Sequence, residues 1–365
     1  MTNKLTSIAS KFSIEGNIVE IKPLGEGFIN DTYIVKTDSE SNYLFQRKNK
    51  NIFQDVPSMM DNILKVCNHI KAKVNANGGD VNREAMTLTS THEGALYFKD
   101  EDGEYWAMCL FIKDSVSYES ADTPELSYAG GKGIGKFQSM LADMKEPLVD
   151  ILPGFHNIRF RFSQWDEILK NDPVGRKKDL STEIAWVEDR REEMLEFWKL
   201  VENGTIPTRV THNDTKINNI LFDKKGDVLC VIDLDTVLNS TVLNDFGDAM
   251  RSYTNTGLED DENLDNVNMD MEIFKAYTKG YLEETISFLS TSELEYLAFS
   301  AKYITYEQVL RFLMDYIDGD KYYKVKSSEH NLIRTQAQYK LLTSMEDQFE
   351  EMTKFVEQHS KQLSL

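Results

Sequence analysis

The chain has 365 residues, 41 % of them hydrophobic and 11 % aromatic, which is a folded composition, long enough for more than one lobe and far from the disordered range. Against 41 bases stand 61 acids, for a formal charge of −20, so nucleic acid and anionic membrane are not expected as partners. A polyanionic ligand would then need a local basic or metal-bearing pocket.

No apolar run approaches the roughly 18 residues of a membrane span. The opening stretch "MTNKLTSIASKFSIEG" is too polar for a secretory signal, so a cytoplasmic location is expected. Cys67, Cys109 and Cys230 stand far apart in apolar surroundings and read as buried thiols. The six histidines show no metal-binding spacing.

In chain order, alternation predicts a first strand over 16–24, then a turn and a second strand over 25–37, and a third over 42–49. Pro57 suits the opening of a helix over 57–74. Residues 86–112 give two more strands around the turn "DEDGE". The order β-β-β-α-β-β predicts a small mixed sheet carrying one helix. Past residue 113 helical spacing takes over, at 125–142, 181–202 and much of 267–359, with an interruption around 208–239. The expectation is an α+β chain: a β-rich lobe, 1–113, and a helical lobe, 114–365.

The interruption holds the chemistry. "THNDTKINNILFD" (211–223) fits neither helix nor strand period until Ile220-Leu221-Phe222, so its polar residues read as a loop that presents side chains. An aspartate beside an acceptor hydroxyl orients it and takes its proton late in phosphoryl transfer, which makes Asp214 the candidate base. Lys216 would place positive charge near the transferring group. Asn219 offers a neutral amide oxygen to magnesium, a hard cation that favours oxygen ligands. His212 fits a bracing role in the loop. "VLCVIDLDTV" (228–237) then reads as a strand ending in two aspartates, joined to the first loop by a hairpin through "DKKGD". Asp233, 19 residues after Asp214, is the second expected metal ligand. Strand alternation would point Asp235 the same way, as another ligand or a support behind one. An ordinary polar turn between strands is the plain alternative.

"HNDTKINN" resembles the catalytic loop shared by protein kinases and the aminoglycoside/choline phosphotransferase superfamily, and "VIDLD" resembles the metal-binding strand that follows it. "GEGFINDTY", "FQRKN", "LPGFHN", "CVIDLDTV", "DFGDAMR" and "EHNL" are similar to blocks of bacterial kinases that phosphorylate N-acetylhexosamines. The resemblance runs from residue 25 to about 340. It implies a protein-kinase-like two-lobed fold, with Asp214 as base and Asn219 and Asp233 on Mg2+.

It also implies a nucleotide loop at "GEGFIN", with Gly25, Gly27 and Asn30 over the phosphates, and Arg47 as the phosphate-pairing cation of the third strand. The helix that follows has no glutamate for that cation, only Asp61 and Asn62. Adenine is expected against the backbone between Phe111 and Asp114. Arg311 and Tyr322 fall in the segment that lines the acceptor site of the resembling kinases. "DFG" at 245–247 lies 31 residues beyond Asp214, too far for the metal aspartate, and is expected to open a helix, with Asp245 or Asp248 bracing the loop through Arg251.

The implied reaction transfers the terminal phosphoryl group of ATP to the anomeric hydroxyl of N-acetylglucosamine or N-acetylgalactosamine. A kinase of choline, an aminoglycoside or another small alcohol is the rival within the superfamily. A nucleotide-binding regulator without turnover is the rival outside it.

Overall fold

The computed structural model describes residues 2–25 and 29–364. The chain forms two compact units, Met1–Ser117 with Asp143–Leu152 and Ile220–Leu238, and Tyr118–Ala142 with Pro153–Asn219 and Asn239–Leu365. The first unit therefore takes in segments from far beyond residue 113.

The first unit opens with a short helix that the sequence reading missed, α1 (Thr2–Ala9), followed by β1 (Ile18–Pro23), β2 (Asp31–Thr37) and β3 (Asn42–Lys48). Then come α2 (Val56–Ala76), β4 (Tyr97–Lys99) and β5 (Tyr105–Leu110). The five strands pair in the order β1-β2-β3-β5-β4, each pairing antiparallel. One face carries the core: Val35, Tyr43, Phe45, Trp106 and Met108 pack with Ile8, Ala9 and Phe12, and the Phe45 and Trp106 rings stack at 4.7 Å. Asp55 caps α2 by accepting from the Ser58 amide, with Pro57 in the first turn as predicted.

Asn62 of α2 is buried and clips the segment 143–152, exchanging two 2.9 Å hydrogen bonds with the Val149 backbone. Cys67 and Cys109 are buried thiols as expected, and burial pushes them up to about 12 and about 11. The predicted hairpin is present as two short strands, Ile220–Phe222 and Val228–Val231, closed by the Asp223–Asp227 turn.

The second unit is helical. Its elements are α3 (Pro124–Leu141), α4 (Ile158–Asn171), α5 (Ser181–Glu188), α6 (Arg191–Glu202), the strand β6 (Arg209–Thr211), α7 (Val242–Tyr253), α8 (Met271–Thr285), α9 (Thr291–Asp318), α10 (His330–Asp347) and α11 (Phe349–Leu363). The helical spacing over 181–202 is divided between α5 and α6. Helix α4 escaped notice because only Ile158, Phe162 and Trp165 of its 14 residues are buried.

The glycines of "YAGGKGIGKF" in α3 serve close packing. A Cβ on Gly131 would sit 2.2 Å from the Tyr277 carbonyl of α8, and one on Gly280 of α8 would sit 2.2 Å from the Tyr128 carbonyl of α3. The two helix backbones touch there, a contact only glycine permits. No helix among the described residues is long and apolar enough to cross a membrane.

Candidate active site

In the second unit the polar loop after β6 is held from behind. Its backbone turns at Asn213, in the left-handed region with φ 66°. The Asp245 carboxylate, in the first turn of α7, accepts the amides of His212 at 3.0 Å and Asn213 at 2.6 Å, and the Gln138 side-chain amide at 2.8 Å. Asp248 accepts the Thr215 amide at 2.8 Å and pairs with Arg251, whose other branch reaches Glu259. The "DFG" tripeptide thus opens a helix, as expected, and its aspartate braces the loop. Burial pushes the Asp245 carboxyl above its usual value, although His212, the two loop amides and Gln138 oppose the shift.

The loop side chains converge on Asp214. Lys216 lies 3.0 Å from its Oδ1, and the Asn219 side-chain amide donates to its Oδ2 at 3.1 Å and to its main-chain carbonyl at 2.8 Å. The Asp214 amide donates to His212 Nδ1 at 3.2 Å, which is a bracing contact. Burial works to raise the Asp214 carboxyl, but the neighbouring Lys216 and His212 outweigh it and hold it below the ordinary range. Lys216 is raised in turn, chiefly by Asp214. The arrangement keeps the Asp214 carboxylate ionised, the state in which a carboxylate can accept a proton.

Arg311 of α9 and Tyr322 line one cavity of about 210 Å³ together with Arg161, Gln164, Asp315 and Tyr323. The Arg311 guanidinium sits 5.6 to 5.8 Å from the ring centres of Phe155, Tyr322 and Tyr323. Asp315 shapes the wall by accepting the amides of Tyr322 and Tyr323. The Tyr323 hydroxyl is buried without a hydrogen-bond partner among the described residues.

Behind the cavity, His156 Nδ1 donates to the buried Glu307 at 2.7 Å, and Arg161 donates to the same carboxylate at 3.2 Å. The other ring nitrogen of His156 lies 3.3 Å from the Asn213 carbonyl, which ties the cavity wall to the loop. Burial opposes ionisation of Glu307, yet His156, Arg161 and Arg311 bring it down to about 2. Sequence reasoning missed His156 and Glu307. The only signal for the first was its place in "LPGFHN", and Glu307 is one acid among many.

In the first unit, the strand Val228–Val231 stops before the aspartates. Asp233 takes a left-handed conformation, φ 60°, and Leu234–Thr236 form a single 3-10 turn. Strand alternation therefore does not apply to Asp235, and the ground for expecting it to point along with Asp233 falls away. Asp235 turns into the protein instead. Its carboxylate pairs with Lys48 Nζ at 2.7 and 2.8 Å and accepts from the Asn30 side chain at 2.7 Å.

Arg47 needs a second correction. Alternation on β3 puts Arg47 on the Phe45 face, where its side chain is 44 % exposed and pairs with Asp31. Lys48 falls on the opposite face beside Gln46, which accepts from it at 2.7 Å, and its side chain is only 4 % exposed. The inward cation of the third strand is Lys48. Counting parity from the buried Tyr43 and Phe45 would have found it.

Gly25 has φ 68° at the start of the expected nucleotide loop, whereas Gly27 lies outside the described residues. Asn30 is buried, and its side-chain oxygen accepts the Asn49 amide at 3.0 Å, so it anchors the end of that loop. The Phe111 amide is taken up by the Asn42 carbonyl at 2.8 Å, and Asp114 pairs with Lys224 at the surface.

Within the second unit, Asn219 spends its N–H groups on Asp214, which leaves its amide oxygen as an acceptor of the neutral kind that magnesium takes. Magnesium is commonly held by one or two carboxylates with substrate phosphates and water. No cluster of three or more His, Cys, Asp or Glu of the kind that forms an all-protein metal cage occurs among the described residues.

Among solved structures, the fold is similar to that of a microcompartment-associated aminopropanol kinase, at 14 % identity and a TM-score of 0.63 over 97 % of this chain and 99 % of that one. It is also similar to an aminoglycoside phosphotransferase from Alicyclobacillus acidocaldarius subsp. acidocaldarius DSM 446, at 13 % identity and a TM-score of 0.61 over 94 % of this chain and 96 % of that one. Spectinomycin phosphotransferase, solved with ADP and spectinomycin, matches at 12 % identity and a TM-score of 0.59 over 96 % and 99 %. At such identities the likeness speaks for the fold, which is protein-kinase-like with a β-rich lobe and a helical lobe. The model of the phosphotransferase enzyme family matches residues 20–267, a span that takes in Lys48, the Asp214 loop and Asp233. On that match, over more than half its length, the chain belongs to the phosphotransferase enzyme family.

Proposed function

We propose that the protein transfers the terminal phosphoryl group of ATP to a hydroxyl of a small molecule, and that this molecule is an N-acetylhexosamine phosphorylated at its anomeric hydroxyl. Asp214 orients the acceptor hydroxyl and takes its proton, and Lys216 balances charge on the transferring group. Asn219 and Asp233 hold Mg2+, which when bound neutralises the phosphate oxygens. Lys48 is the phosphate-directed cation, Gly25 and Gly27 belong to the loop over the phosphates, and adenine lies along Phe111–Asp114. Arg311 and Tyr322 hold the sugar. The anomeric hydroxyl is more acidic than other sugar hydroxyls, which suits a weak base such as an ionised aspartate.

The observation that carries the acceptor reading is the Arg311 guanidinium, which lies near three aromatic rings and lines a cavity of about 210 Å³ with two of them, Tyr322 and Tyr323. Those rings would otherwise suit a quaternary ammonium, but a cation of the protein already occupies their faces. A guanidinium presents donors to a carbonyl or hydroxyl oxygen, and the rings offer apolar surface to a pyranose. This favours an uncharged sugar bearing an acetamido carbonyl over choline or an aminoglycoside.

ADP release across a panel of N-acetylhexosamines, other sugars, choline and aminoglycosides tests the reading. Turnover is expected with the N-acetylhexosamines, with phosphorus–carbon coupling in the product placing phosphate on carbon 1. Preference for choline over every sugar, or a 6-phosphate product, would overturn it.

A further inference from the structure

A lysine that neutralises nucleotide phosphates must be held with its ammonium group aimed, and in protein kinases a glutamate on the neighbouring helix does this. Helix α2 offers no such group. Its one acid, Asp61, pairs with Lys65 at the surface, and the adjoining Asn62 is committed to the Val149 backbone. Lys48 is nonetheless buried and fully engaged, by Gln46 Oε1 and both oxygens of Asp235. Asp235 is in turn steadied by Asn30, which also accepts the Asn49 amide and so ties the start of β2 to the end of β3.

We propose that Asp235 is a positioning residue for nucleotide binding: it aims Lys48, and it does so from the same turn that carries Asp233. The inference rests on the reading of Lys48 as the phosphate-directed cation. Two residues apart, one aspartate at the head of the 3-10 turn serves the metal and the other, within it, serves the lysine. The chain enters that turn from a left-handed backbone at Asp233, and β3 parity delivers the lysine to Asp235. The cation and the metal ligand are therefore set by one short segment, and α2 need not move to assemble them. Asp235 as a further metal ligand is the competing assignment, and it would require Lys48 and Asn30 to lose their shared acceptor.

The test compares Asp235→Asn, Asp235→Glu, Lys48→Met and the Lys48→Met/Asp235→Asn pair in the full chain. Each is measured for ADP affinity by calorimetry, for KM of ATP and of acceptor, for the magnesium concentration at half-maximal rate, and for melting temperature. Asp235→Asn is expected to weaken ADP binding and raise KM for ATP roughly 10- to 100-fold. The acceptor KM and the magnesium midpoint should stay within about twofold. Asp235→Glu should recover most of the loss, and Asp235→Asn should cost nothing more once Lys48 is gone, because two residues acting through one contact do not add.

A shifted magnesium midpoint with unchanged ADP affinity would make Asp235 a metal ligand and overturn the proposal. So would a lowered melting temperature with nucleotide affinity intact, or independent effects in the paired variant. Wild-type protein that binds no nucleotide would remove the functional reading itself, whereas normal wild-type binding with an indifferent Asp235→Asn removes only this inference.

Discussion

Asp245 accepts the Asn213 amide at 2.6 Å while the same carboxylate holds the His212 amide, so a helix far along the sequence fixes the residue immediately before Asp214. Replacing Asp245 by alanine would leave two loop amides and the Gln138 side chain without their acceptor. Each unsatisfied buried donor costs about 1–3 kcal/mol. Asp245→Ala is expected to lose roughly 2–5 kcal/mol in chemical denaturation. Its turnover should fall through loop disorder, and added magnesium should not restore it. Rescue by magnesium would return Asp245 to the metal.

Asp214→Asn should leave the melting temperature and ADP affinity close to wild type while kcat falls by several orders of magnitude. The carboxylate touches Lys216 and Asn219, and its proposed work lies with the acceptor. A variant retaining more than about a tenth of normal kcat would remove Asp214 from the base role.

The direction of the Asp214 shift adds a pH signature. Its carboxyl is held below the ordinary range, so the group stays ionised down to pH values under the usual carboxylate pKa near 4. The acid limb of kcat/KM assigned to it should fall below about pH 4. A limb between pH 6 and 7 that disappears in Asp214→Asn would contradict the assignment.

Asp233→Ala is expected to abolish magnesium-dependent turnover, and Asn219→Ala to raise the magnesium concentration needed for half-maximal rate. Arg311→Lys and Tyr322→Phe should instead raise KM for the acceptor, by roughly ten- to a hundredfold in kcat/KM for a lost charge-assisted contact, with KM for ATP unchanged. Equal effects on both substrates would remove the pair from the acceptor pocket.

Glu307 gives a stability test independent of chemistry. Its folded pKa of about 2 lies below the ordinary 4.5, so its contribution is complete above that ordinary value and is lost as pH falls through 2. The span corresponds to roughly 3 kcal/mol. The stability gap between wild type and Glu307→Gln should narrow by about that amount between pH 5.5 and 2. A gap independent of pH would mean that the carboxylate gains nothing from His156 and Arg161.

What could be read from sequence was whatever local pattern controls. The five strands and α2 emerged from alternation and from Pro57, and the Asp214 loop stood out because it obeys no period. The distance between "DFG" and Asp214 pointed to a brace, and Asp245 does hold the loop, directly through the His212 and Asn213 amides rather than through Arg251, which pairs with Asp248. The failures have specific causes. Arg47 was named as the cation of the third strand without counting parity from Tyr43 and Phe45, which puts Lys48 on the face opposite them. Asp235 was misdirected because a 3-10 turn replaces the strand at the point where the apolar run still looks extended. The link from Glu307 through His156 to the Asn213 carbonyl runs over contacts 151 and 57 positions apart in sequence, and no local pattern encodes such a contact.

The touching backbones of α3 and α8 reach further than packing. Gln138, which steadies Asp245, stands seven residues along α3 from Gly131, where the helix is pressed to the Tyr277 carbonyl. A single methyl group added at Gly131 would wedge the helices apart and draw Gln138 off its carboxylate, loosening the brace behind the Asp214 loop. Silencing this protein would then require no change at any residue that meets a substrate.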